Sequence, residues 1–273
     1  MGGIELREAY SPPSRETREC KYWWFDAWDG VVNSVLAMLG SPHISVGQGE
    51  IAIDPHIHTL FSHCSISQPQ RVIRKAVKLG LGGIAVMDHN DIRGALDTMR
   101  CAEDMKGRGE IPEEFLVIPG LEINSTVGHV GALFVEEDIP MSLEPAELVR
   151  AIHDAGGLAV AVHPYHSTGI KDTVFDAPFD AVEIESGSVF GTRLVEQNRA
   201  LMSDPRMANA AKLGSSDAHY ARAMASCFTI VQNLEKVTLS TVREAIMSGD
   251  CRPETSTPYR RLQGMLGSVG KLK

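Results

Sequence analysis

IAIDPHIHT, residues 51–59, is a short apolar run that ends on two histidines, His56 and His58. Working outward from it, the same arrangement returns along the chain. IAVMDH closes on Asp88 and His89, VIPGLE on Glu122, GLAVAVHP on His163, and KLGSSDAH on Asp217 and His219, while His129 opens the run HVGALF. Imidazole and carboxylate are the donors that hold borderline divalent metals such as Zn, Mn and Fe. Set at the ends of successive strands, such donors converge on one mouth of a barrel or open sheet, where α/β enzymes carry their chemistry. The pattern predicts a polynuclear metal site.

Apolar and β-branched runs predict strands at 51–55, 82–87, 115–121, 129–135, 157–162, 180–184, 212–216 and 227–232, suited to burial on both faces. Helical periodicity fills most of the gaps. QPQRVIRKAVKLG places Val72, Ala76 and Leu79 on one stripe and stops at Gly80. DIRGALDTMRCAEDM follows, with Asp91 as its N-cap candidate. SLEPAELVRAIHDAGG starts with Ser142, Glu144 and Pro145 and ends in Gly156–Gly157. GTRLVEQNRALM and LSTVREAIMSGD continue the alternation. Repeated βα units predict a mainly parallel sheet, and this many predict closure into a barrel. Between Leu116 and Val135 two strand candidates follow each other without a helix, so a distorted barrel is expected rather than a regular eightfold one.

Residues 51–251 thus form the barrel domain. Residues 1–50 differ in character: KYWWFDAWDGVVNSVLAMLG holds Trp23, Trp24 and Trp28 and is expected as a short apolar helix. The plainer expectation packs it against the outside of the barrel; the sharper one makes it a homodimer contact, since aromatic residues are enriched at interfaces. Residues 252–273 show no apolar period and are expected as a mobile tail or surface wrap. A hydrophobic content of 43% and a charged content of 22% suit a globular enzyme, and a net charge of -9 argues against a large nucleic-acid footprint. Five cysteines without a CxxC pair point to thiols in a reducing compartment. With no apolar signal core and no membrane-length run, the expected location is cytoplasmic.

His56 and His58, two apart on a strand, point to one side of the pleat and can grip one ion. His63, five residues on, can reach back to the same mouth or stay an exposed loop histidine. Asp88 and His89 are adjacent, so His89 is the expected ligand and Asp88 a weaker ligand or an acceptor orienting another histidine. Glu122 at the end of an apolar strand is costly unless paired or metal-bound, and a carboxylate bridging two ions answers that cost. Asp217 and His219 repeat the two-apart logic.

DPHIHT, MDH, PGLE, GHVGALF, AVHP and SSDAH, in this order from about Asp54 to about Gly249, resemble the motifs of the PHP (polymerase and histidinol phosphatase) superfamily. The resemblance implies a distorted (β/α)7 TIM-like barrel holding two or three divalent ions, commonly Mn, Fe or Zn. The ligand set it implies falls on His56, His58, His63, His89, Glu122, His129, His163, Asp217 and His219. Many members carry Asp where this chain has His63, and others place a histidine one residue later. This bears on the third metal position.

Residue chemistry and resemblance both lead to hydrolysis of a phosphate ester, from a small molecule or nucleotide, by a metal-bridging hydroxide. Two ions about 3.5–4 Å apart can stabilise the attacking and leaving oxygens together. GxSxG and Walker A patterns are absent from the sequence. Asp88 and His166 are candidates to protonate the leaving group, and Arg93, Arg193 and Arg222 to bind its phosphate. The alternatives are a 5′-end exonuclease on short oligonucleotides and a metal-bound, non-catalytic interaction domain.

Overall fold

The computed structural model describes residues 44–189, 192–257 and 259, with residues 38 and 42 singly. The segment carrying Trp23, Trp24 and Trp28, and the chain after residue 259, lie outside the described residues. Strand β1 (Ile51–Ile57) leads through α1 (Pro69–Leu79) to β2 (Gly83–His89), and α2 (Arg93–Gly107) leads to β3 (Leu116–Asn124). Strand β4 (His129–Leu133) then returns as a hairpin partner before α3 (Pro145–Asp154) and β5 (Leu158–Ala161). Strand β6 (Ala181–Ser186), α4 (Thr192–Ala200), β7 (Ala211–Ser215), β8 (Cys227–Val231), α5 (Leu239–Met247) and β9 (Cys251–Thr255) complete the order.

All nine strands join one sheet in the order β7-β6-β5-β4-β3-β2-β1-β8-β9. Strands β1, β2 and β3 are parallel, as are β5, β6 and β7, whereas β4 and β8 run antiparallel to both of their neighbours. The sheet curls into a nearly closed barrel. At the remaining gap the Thr229 hydroxyl donates to Gly214 O at 2.8 Å and accepts Gly214 N–H at 3.0 Å. Beyond β7, Ala218 makes a parallel bridge to Ile57, and His58 N–H donates to Ala218 O at 3.0 Å. The expected distortion is the β3–β4 hairpin. Regular βα alternation also lapses after β5 and after β7, so the described residues hold nine strands and five α-helices rather than seven complete βα units.

Two expectations are corrected here. Residues 252–255, assigned to the tail, belong to β9, paired with β8 from Cys227↔Thr255 to Val231↔Cys251. CRPET has no apolar alternation because Cys251, Arg252, Pro253 and Glu254 are only part-buried at the sheet's edge. Helix α2 begins at Arg93 with Ile92 as its N-cap; Asp91 lies one residue earlier, where its carboxylate accepts the Arg93 N–H at 3.0 Å. Gly80 ends α1 as expected, in the left-handed conformation at φ 85°, where an added Cβ would meet the Ile44 carbonyl.

Alternation along the strands sorts side chains into two apolar layers. Ala52, Ile84, Val86, Val117 and Leu121 face the helices, while Ile51, Ile53, Ala85, Met87, Ile118, Leu133 and Val160 fill the barrel interior. Continuing the interior register toward the mouth reaches His89 after Met87, Glu122 two steps beyond Ile118 by way of Gly120, and His129 before Leu133 on the reversed strand. In β1 the register slips between Asp54 and Ile57, at Pro55. This bulge moves the inward phase from Ile51 and Ile53 to His56 and His58.

Candidate metal centre

Glu122 sits at the hub of the mouth. Its Oε1 lies 2.7 Å from His129 Nδ1 and 2.9 Å from His163 Nε2. Its Oε2 lies 3.1 Å from His89 Nδ1, 3.4 Å from His58 Nε2 and 3.6 Å from His56 Nε2. Asp217 Oδ1 approaches His58 Nε2 at 3.0 Å and His56 Nε2 at 3.5 Å. His163 and Asp217 reach the cluster through left-handed backbone, at φ 28° and 50°. Strict alternation would send His163 outward, because Val162 before it already faces the interior; the positive φ turns it in. Such strain costs about 1–2 kcal/mol per residue, of the kind held at functional sites.

A surrounding layer fixes which nitrogen of His56, His58 and His219 faces inward. Glu183 Oε1 accepts the His56 Nδ1–H at 3.0 Å, and its Oε2 accepts the His163 backbone N–H at 2.8 Å. Asp88 is fully buried and accepts the N–H groups of Thr59 and Ser62 together with both hydroxyls. With its own proton committed to Asp88, Ser62 Oγ accepts the His58 Nδ1–H at 3.0 Å. His219 Nδ1–H donates to Asp217 O at 3.0 Å. Gly94 in α2 lies so close to Asp88 that an added Cβ would collide with the carboxylate. Asp54 is also buried, accepting Ser216 N–H at 2.9 Å and Ala225 N–H at 2.8 Å, and so ties the Asp217 loop to β1.

These tautomers test the fit of a metal. With both Nδ1 protons committed, the lone pairs of His56 Nε2 and His58 Nε2 face each other across 3.1 Å, with Asp217 Oδ1 and Glu122 Oε2 beside them. His89 Nδ1 and His129 Nδ1 approach Glu122 without hydrogen-bond geometry, and both are buried without such a partner. In their neutral, metal-binding forms these acceptors converge on acceptors and repel unless a proton or a metal ion lies between them. Donors about 2.0–2.1 Å from a tetrahedral ion are about 3.3 Å apart, close to the spacings found here. Four groups bring metal-type donors within 4.8 Å of one another: His56 with His58 and Glu122; His56 with His163 and Asp217; His89 with Glu122 and His129; and His58 with Cys64, His89 and His219. The donor set fits divalent ions.

The electrostatics of the mouth favour positive charge, carried by protons or by bound cations. Burial opposes charge on Glu122 and Asp217, but the imidazoles around them hold both well below the usual carboxylate range. Burial also opposes charge on His56, yet Glu183, Asp217 and Glu122 outweigh it and raise its pKa well above the ordinary value. His58 is pushed down to about 4 by burial and by His219.

The mouth gathers His56, His58, His89, Glu122, His129, His163, Asp217 and His219. It does not gather His63, which is exposed, stacks on His89 at a ring distance of 5.5 Å and joins none of the donor groups among the described residues. Asp88 is corrected as a proton donor: both its oxygens are engaged away from the cluster, and it orients His58 through Ser62. His166 stands edge-on to His163 at 5.2 Å, but burial and His163 push its pKa down to about 3, so it is neutral near pH 7 rather than the expected acid. Arg93 is paired with Asp91 through two hydrogen bonds, and Arg193 and Arg222 are exposed. Sequence reasoning missed Glu183, Asp54 and Cys64. A glutamate between Val182 and Ile184 in an apolar strand was the available signal for the first.

The fold and donor set define an α/β barrel with a cluster of side chains able to bind metal at the carboxyl ends of its parallel strands. The chain belongs to the PHP domain family, whose model matches residues 54–191, just over half of the sequence. It is 34% identical to MJ1587 of Methanocaldococcus jannaschii over 143 residues, 48% of this chain and 79% of that one. A candidate metal-dependent phosphoesterase of Bifidobacterium adolescentis shares the fold with a TM-score of 0.50 and 20% identity, covering 72% of this chain and 96% of that one. The lesion-specific endonuclease PfuEndoQ of Pyrococcus furiosus does so with a TM-score of 0.51 and 15% identity, over 75% of this chain and 57% of that one. At these identities the two structures speak for the fold.

Proposed function

We propose that the chain is a metal-dependent phosphoesterase that hydrolyses a phosphate monoester of a small molecule or nucleotide. The observation that carries this reading is the convergence of four imidazoles on Glu122, with His58 held on its outer side by Ser62. His56, His58, Asp217 and Glu122 would hold one ion, and Glu122, His129 and His163 a second. Mn, Fe and Zn all suit these nitrogen and oxygen donors. Divalent ions bound there would supply an activated water and neutralise charge on a phosphoryl group.

The chain's own residues do the positioning. Glu183 and Ser62 keep Nε2 of His56 and His58 aimed inward, and Asp54 keeps the Asp217 loop against β1. Neutral His166 at the rim, its Nδ1 at 2.9 Å from Thr168 Oγ1, can hydrogen-bond a leaving group without charging. With Arg93 engaged by Asp91, charge on the phosphate is left chiefly to the metal centre.

Protein purified without chelator and analysed for metals should carry at least two divalent ions per chain. It should turn over p-nitrophenyl phosphate in Mn²⁺ and lose that turnover in EDTA. A 5′-phosphorylated oligonucleotide in the same assay separates a small-ester enzyme from an exonuclease. Protein that binds no metal would refute the reading.

A further inference from the structure

The loop between β1 and α1 carries a donor the foregoing assignment leaves unused. Cys64 is buried, and its Sγ and the ring nitrogens of His58, His89 and His219 all lie within 4.8 Å of one another. The loop around it is held at several points. Asp88 binds Thr59 and Ser62 before it. After it, Ser65 Oγ lies 3.1 Å from His58 O and 2.8 Å from His219 O. Leu60 N–H donates to Ser67 O at 2.9 Å, and Ala221 N–H to Ser67 Oγ at 2.9 Å. The sulfur is therefore presented on a fixed loop, while the neighbouring His63 is exposed and stacks on His89.

His58 has one inward nitrogen, and its 3.0 Å approach to Asp217 and 3.1 Å approach to His56 commit it to the site they share. His219 has its Nδ1 proton on the Asp217 carbonyl, which leaves its Nε2 lone pair as the donor. What remains of the fourth group is one sulfur and two imidazoles.

We propose that Cys64 is a metal ligand, its thiolate joining His89 and His219 in a sulfur–nitrogen site beside the nitrogen–oxygen sites around Glu122. The proposal rests on reading the mouth as a metal centre. Thiolate is the softest donor among these groups, so this site prefers Zn²⁺ to Mn²⁺, while the sites without sulfur accept either. The consequence is a centre that holds two kinds of ion at once, with one of them exchangeable through a thiol.

The test is titration of chelator-treated protein with Co²⁺, followed by absorption. Wild type should show visible cobalt bands together with near-ultraviolet thiolate-to-cobalt charge transfer. Cys64→Ser and Cys64→His should lose the charge transfer and keep the visible bands of the other sites. After Zn²⁺ loading, elemental analysis should find one ion fewer per chain in Cys64→Ser than in wild type, and Cys64→His should restore it. Visible bands without charge transfer in wild type, or charge transfer that persists in Cys64→Ser, would overturn Cys64 as a ligand. An absence of cobalt bands in wild type would instead overturn the metal centre itself. The wild-type spectrum comes from unaltered protein, so a variant that fails to fold cannot produce either result.

Discussion

The upper and lower halves of the barrel interior stand on the same strands and are made of opposite materials. On β1 the inward positions pass from Ile51 and Ile53 to His56 and His58, on β3 from Ile118 to Glu122, and on β6 from Ala181 to Glu183. Both halves are buried, since Ile53, Ile118, His56 and His58 are each 0% exposed. The lower half stabilises the fold, at roughly 1.5–3 kcal/mol for each large apolar side chain removed from water. The upper half costs stability, because buried ionisable groups must be compensated by partners or by a bound cation. Stability and chemistry are thus separated along the barrel axis by only a few residues of strand, from Ile53 to His56, Ile118 to Glu122 and Ala181 to Glu183.

The sharpest way to break this comparison is to remove one inward donor from each half. Asp217→Ala or His58→Ala should lower turnover by at least ~100-fold, since even partners that only orient ligands are worth about 10–100-fold. Thermal unfolding in chelator, followed by circular dichroism, should move by no more than about 4 °C. A larger fall would mean that the mouth also carries the fold. Ile118→Ala should do the reverse, costing about 2–5 kcal/mol in urea unfolding while the folded fraction keeps its turnover.

A finer probe is the layer between them. Glu183→Gln leaves the amide unable to accept from both His56 and the His163 backbone, and metal affinity should fall by about 10–100-fold in competition with a chromophoric chelator. Thr229→Val removes the hydroxyl that closes the sheet at Gly214, for about 1–3 kcal/mol of stability and no change in metal content. The smallest effect belongs to the outer edge. Hydrogen bonding to Arg252 first, and to the Gly47 N–H and Gln232, lowers Glu50 from its ordinary 4.5 to about 2. A depressed carboxylate stabilises the fold above the unfolded value, and that help is lost as pH falls toward the folded one. Glu50→Gln should therefore lower the melting midpoint slightly at neutral pH, and the difference from wild type should shrink below pH 4.5.

Legibility of the chain followed burial. All eight strands predicted from sequence form, because each is long enough and apolar enough to leave a periodic mark. Strand β9 escaped, since Arg252, Pro253 and Glu254 on an open edge leave none. The hairpin between β3 and β4 could be read because two apolar runs there lie too close together for a helix. His63 and Cys64 show the opposite limit. They are adjacent residues of types that can bind metal, in a loop without periodicity, and only the folded loop exposes the one and buries the other.

By itself, the sequence determined the barrel class and most of the metal-type donors, because strand-end placement and alternation are local properties of the chain. Tertiary structure alone decided that Glu122 is the hub, that Asp88 is an orienting group and not an acid, and that Cys64 lies beside His58, His89 and His219. Each of these depends on distances between residues far apart in sequence, on a bulge at Pro55 and on left-handed backbone at His163 and Asp217. The physical reason is that periodicity records which face a residue takes within one element, whereas a shared ion or proton depends on how several elements meet.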